Sequence, residues 1–116
     1  MATNAFEIPG LRFSLVSSAD NIKRYRFLSV TEDGTAALAS ASSAIVGVSM
    51  NQVDAVDRPV EIADGIVIVE AAGAITAGSY VASNAEGKAT SSENATGLIA
   101  LTTADAAGQY VSVKFL

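Results

Sequence analysis

Apolar and polar residues alternate along this chain in short stretches, and the clearest of them is residues 58–70, RPVEIADGIVIVE. Val60 and Ile62 flank Glu61, which is the two-residue period of a half-buried strand. Asp64-Gly65 is a pair favoured in two-residue type I′ turns, where both central residues need positive φ. Ile66-Val67-Ile68-Val69 follows as a β-branched run, apolar on both sides. The stretch is therefore expected to be a central hairpin whose second strand is covered on both faces.

Residues 1–18 precede the regular pattern. They hold Phe6, Ile8, Leu11, Phe13 and Leu15, interrupted by the turn or extended-chain signal Pro9-Gly10. Two readings stand open: the first strand of the domain, or an arm lying on a partner. Ordering about 15 residues costs roughly 1–2 kcal/mol each, and burying five large apolar side chains returns roughly 1.5–3 kcal/mol each. An arm would therefore also need main-chain pairing with a partner's sheet edge.

Further along, strands are expected at 25–30, returning over 36–39 after the turn 31–35, and at 45–50. Gly47 inside the 45–50 strand signals a bulge or a close backbone approach. A strand at 79–83 turns at 84–88 and returns at Ala89-Thr90. A polar loop then leads to strands at 97–101 and 109–116. In the last, Tyr110, Ser112 and Lys114 alternate with Val111, Val113 and Phe115. Residues 102–108 read as a loop or a single helical turn, and no long segment carries a 3.6-residue period.

The order of these pieces repeats. Phe27-Leu28-Ser29 through Asp33-Gly34-Thr35-Ala36 parallels Tyr80-Val81-Ala82 through Glu86-Gly87-Lys88-Ala89. Val46-Gly47-Val48 parallels Thr96-Gly97-Leu98, and Val60-Glu61-Ile62 parallels Val111-Ser112-Val113. The expected fold is all-β: a small antiparallel β-barrel or sandwich built from two similar halves, with an extended N-terminal arm. Residues 1–18 are the arm or first strand, and 19–116 a single barrel domain.

Composition narrows the function classes. At 116 residues the chain can bury one core without staples. Charged residues make up only 16%, which leaves a surface of Ser, Thr and Ala or one partly covered by neighbours. A net charge of −5 argues against nucleic-acid binding, which needs a basic footprint. No apolar run approaches the roughly 18 residues of a membrane helix, and no secretory leader is visible at the first residues. Cysteine and histidine are absent, which removes thiolate chemistry, zinc–sulfur sites and the usual proton shuttle.

The remaining candidates for chemistry are weak. Glu61 with Glu70 or Asp64 would make a carboxylate pair, but a glycosidase site needs both acids in one cleft, and the chain has no Trp and three Tyr. The turn at 31–35 lacks the ligand pattern of a calcium loop. Asn51, Asp54 and Asp57 would align on a helical turn, with loop solvation the preferred explanation. Asn94-Ala95-Thr96 matches a glycosylation acceptor, which means little without a leader. No enzyme activity, cofactor or metal is expected. The basic cluster Lys23, Arg24 and Arg26 around Tyr25 reads as a solvated strand edge, with a docking patch for carboxylates as the alternative.

One resemblance adds to this reading. A strand, the turn Glu86-Gly87-Lys88, the Gly-led strand Gly97-Leu98-Ile99-Ala100, the loop Ala104-Asp105-Ala106-Ala107-Gly108 and a final Val111-Ser112-Val113-Lys114 strand follow one another. Together with the lead-in Ala74-Ile75-Thr76-Ala77-Gly78 before Ser79-Tyr80-Val81, this order resembles the tailed-phage capsid cement (head decoration) proteins. The resemblance covers about residues 21–116, is strongest from Gly73 onward, and leaves the first 18 residues aside. It implies a small β-barrel that oligomerises on the outside of a phage head and grips neighbouring major capsid proteins at their junctions. A homotrimer at local three-folds is the first expectation and a dimer at two-folds the second. The capsid contacts are assigned, as expectations, to Phe6, Ile8, Leu11, Arg12 and Phe13, with Lys23, Arg24 and Arg26 as a second patch. A subunit of another virion part, such as a tail or fibre base, and a host-surface binding module are the alternatives.

Overall fold

The computed structural model describes residues 5–41, 43–93 and 97–116, which form nine strands and no helix. These are β1 (Ile8–Val16), β2 (Phe27–Val30), β3 (Ala36–Leu38), β4 (Gly47–Ser49), β5 (Pro59–Glu70), β6 (Val81–Ser83), β7 (Ala89–Ser91), β8 (Leu98–Ala100) and β9 (Tyr110–Phe115). All ladders between them are antiparallel. One sheet runs β3-β2-β4-β5-β9-β8 with β1 added on β5, and β6-β7 makes a second, two-stranded sheet. The ladders form an open path, so no closed barrel is seen among the described residues. The all-β, antiparallel expectation holds. Residues 51–57 and 102–108 contain no helical turn, and Asn94-Ala95-Thr96 lies outside the described residues.

The expected central hairpin is not formed. Residues 59–70 are one continuous 12-residue strand. Of the two supposed turn residues, only Gly65 has positive φ, at +91°, whereas a type I′ turn needs both. The pair instead receives a β-bulge from β1. Pro9 opposes Gly65 and Arg12 opposes Ala63, so Gly10 and Leu11 share the place opposite Asp64. Asp64 Oδ1 accepts the Leu11 N–H at 2.7 Å, and an added Cβ on Gly65 would collide with the Gly10 backbone. Both arms of β5 have other partners, so neither is free to fold back on its own neighbour. The first arm pairs with β1 and β4, the second with β9 and the first residues of β1.

β5 is the strand that two repeated halves share. Arg12↔Ala63 recurs as Ile66↔Lys114, Phe13↔Ile62 as Val67↔Val113, and Leu15↔Val60 as Val69↔Val111. Leu28↔Leu38 recurs as Val81↔Ser91, and Phe27↔Val48 as the bridge Tyr80↔Ile99. The bridges Ser17↔Ala36 and Ile22↔Val53 recur as Ala71↔Ala89 and Ile75↔Ala104. Even the left-handed residues match, Tyr25 with Gly78, Gly34 with Gly87 and Asp57 with Gly108. One sequence alignment shifts by a residue. Val48↔Ala63 recurs as Ile99↔Lys114, so Val48 matches Ile99, not Leu98.

Alternate side chains of a strand point to opposite faces, and β5 uses this to serve two cores. Val60 and Ile62 belong to a cluster with Ile22, Leu28 and Val53, against which Phe13 and Leu15 pack. Ala63, Val67 and Val69 belong to a larger cluster that joins Phe27 and Val48 of the first half to Val81, Val111 and Val113 of the second. Coverage of the run 66–69 is correspondingly unequal. Val67 and Val69 are fully buried, whereas Ile66 and Ile68 are half-buried. Gly47 is a close approach, since a Cβ there would lie 2.5 Å from Ile62 Cγ2 and 2.7 Å from the Ala63 carbonyl.

Candidate functional site

The N-terminal candidates lie on β1 and just ahead of it. The Phe6 N–H donates to Ser112 Oγ at 2.6 Å, and that hydroxyl donates back to the Phe6 carbonyl at 2.5 Å. This clamp explains why Ser112 is fully buried, although its place in the β9 alternation put it on the solvent side. It ties down the chain ahead of β1 while leaving the Phe6 side chain 44% exposed. Ile8, paired with Ile66, is 62% exposed, and the bulge presents Leu11 at 65%. Three large apolar side chains are therefore exposed within six residues of chain, two of them on a strand whose one partner among the described residues is β5. Arg12 stands beside them with its guanidinium 3.6 Å from Glu61, both exposed. Phe13 is half-buried against the smaller core.

The basic candidates separate. Lys23 and Arg24 are exposed, but Arg26 is buried and sits 3.2 Å from Glu70 Oε1. It also donates to the Glu86 carbonyl at 3.2 Å, and Lys88 lies 3.4 Å from the second Glu70 oxygen. Arg26 thus joins the first half to the β6–β7 turn. Above this network the Arg24 guanidinium lies 4.5 Å from the centre of the Tyr25 ring, which meets Tyr110 edge-on at 5.2 Å. Tyr25 holds a left-handed backbone, with φ of +65°. Tyr110 came into no sequence argument about binding, and nothing local to either tyrosine signals that they meet.

The three carboxylates considered for acid–base work do not converge. Glu61 faces Arg12, Asp64 holds the bulge, and Glu70 lies between two cations. Among the described residues no group of three or more acidic side chains is placed to hold a metal ion. A broad cleft of about 400 Å³ opens near Ser40, Ile45, Val81, Leu98 and Phe115, lined by serine and aliphatic or aromatic side chains.

The fold and surface define an all-β body with outward-facing apolar and aromatic–basic patches. No protein-family model matches the chain, and no curated protein does. Among solved structures it is similar to the head fiber gp8.5 N base in bacteriophage phi29, with a TM-score of 0.75. The two are 19% identical, and the match covers 91% of this chain and 95% of that one. At that identity the likeness is one of fold.

Proposed function

We propose that this chain is a non-enzymatic structural protein of a bacteriophage head, bound to the outer surface of the shell at junctions between major capsid proteins. The observation that carries the reading is the near end-to-end fold match to a head fiber base. It agrees with the resemblance of residues 21–116 to head decoration proteins. Such a role needs a stable body and repeated complementary contacts, not a reaction centre. A protein that binds the closed shell and not the opened one stabilises the closed one by mass action. Several copies joined in one oligomer make modest single contacts sufficient. The self-association proposed is a homotrimer, with a dimer second, and neither cofactor nor nucleic acid takes part.

Phe6, Ile8 and Leu11, with Arg12 at their edge, are the proposed shell contact. Their exposure is the feature a docking surface needs, and the Ser112 clamp orders their backbone before binding, which lowers the entropy lost on association. Phe13 and Arg26 serve the fold that presents them.

A second reading, the base of a head fibre, is favoured by the particular neighbour. Cosedimentation with purified heads lacking this chain tests both. A cement protein saturates many sites and raises the temperature at which filled heads release DNA. A fibre base leaves that temperature unchanged. Absence of any binding to heads overturns both readings.

A further inference from the structure

We infer that the Arg24–Tyr25–Tyr110 cluster is a second docking point, one that takes a carboxylate-bearing protein surface. The inference rests on the reading that this chain binds other subunits of a shell. Its starting point is a comparison of the two halves. Tyr25 and Gly78 occupy equivalent places, with φ of +65° and +90°. Their N–H groups make equivalent bonds, Tyr25 to the Ser49 carbonyl at 2.9 Å and Gly78 to the Ala100 carbonyl at 2.8 Å. Glycine therefore satisfies the backbone at this position, and a bulky side chain is strained there. Strain of this kind collects at functional sites.

The Tyr25 ring belongs to neither buried core cluster. It lies at the surface between the Arg24 guanidinium and Tyr110, itself 45% exposed. The Tyr25 carbonyl accepts the Glu70 N–H at 3.0 Å, in a chain whose net charge is −5. Glu70 engages Arg26 and Lys88, one with each oxygen. Among the described residues no carboxylate pairs with Arg24. A guanidinium held over an aromatic ring is ordered in advance and keeps its N–H fork available for a bidentate carboxylate. Tyrosine and arginine are also the side chains that most often dominate interface energy. Phosphate is the other anion such a fork accepts, but the acidic remainder of the chain repels a polyanionic nucleic acid.

Two arms test the inference. In the first, a hexaglutamate peptide is titrated at low salt while NMR follows the Arg24 side chain and the Tyr25 and Tyr110 rings. These signals are expected to shift, and to shift less with a single-stranded oligonucleotide. In the second, Tyr25→Gly and Arg24→Gln are compared with wild type for melting temperature and for cosedimentation with heads lacking the chain. Tyr25→Gly is expected to melt at or above the wild-type temperature yet bind heads about tenfold more weakly, and Arg24→Gln to bind similarly weakly. Unmoved ring signals, a preference for the oligonucleotide, a lowered melting temperature for Tyr25→Gly, or wild-type binding by both variants would overturn it. Failure of wild type itself to sediment with heads counts against the shell reading, and the peptide arm then decides this inference alone.

Discussion

Gly34 and Gly87 occupy the same turn position in the two halves, with φ of +80° and +76°, but only one of them is covered. An added Cβ at Gly34 meets no atom within 4 Å, whereas one at Gly87 lies 2.8 Å from the Phe27 carbonyl and 3.2 Å from Arg26 Cβ. Gly34→Ala should cost only the backbone strain, about 1 kcal/mol. Gly87→Ala should cost about 3 kcal/mol, because the joint between the halves must also open. Urea unfolding of the pair checks this, and equal losses would contradict the packing described. The ion pairs differ in the same way. Glu70→Ala leaves the buried Arg26 uncompensated and should lose about 3 kcal/mol. Glu61→Ala, at an exposed pair, should lose less than about 1 kcal/mol in the same assay. At this scale the sequence was partly legible. Gly47 announced a bulge or a close approach, of which the second is found, because glycine is disfavoured inside a strand without such a reason. The partners of Arg26 were not legible, since Glu70 and Glu86 come from distant stretches of chain.

Most strands could be read from alternation, although β2, β4 and β6 proved shorter than their apolar stretches. For β2 the reason is Tyr25, whose left-handed backbone cannot continue a ladder. The chief misreading, a hairpin at Asp64-Gly65, came from a local signal with two physical outcomes. A glycine able to take positive φ serves a turn or a bulge contact equally well, and the choice is made by strands elsewhere in the chain. Gly10 was the other half of that signal. The burial of Ser112 was not legible for a related reason, because alternation assigns a face without saying what crosses it. The clamp on Phe6 makes a prediction for the element it anchors. Ser112→Ala should remove hydrogen-exchange protection at the Phe6 amide and cost about 1 kcal/mol, leaving β9 protected. Unchanged protection at Phe6 would show that the segment is held by something else.

The repeat was visible in outline from Phe27 onward, but its true start in β1 was not. Equivalent positions there keep apolar character without identity, as Phe13 and Val67 do. Because β5 supplies the last strand of one half and the first of the other, and the larger core draws on both, the halves are not independent units. Fragments 1–64 and 65–116 should each lack a cooperative thermal transition, while the whole chain melts in one. Two resolved transitions in the whole chain would contradict a shared core. This single body, with an apolar cluster at the head of β1 and an aromatic–basic cluster around Tyr25, suits a subunit that works by adhesion. The most direct measurement is a cryo-electron-microscopy difference map between phage heads assembled with and without the chain. The account predicts added density of this fold on the outer surface at junctions between shell subunits. Identical maps from the two preparations, or density confined to the head interior or the tail, would contradict it.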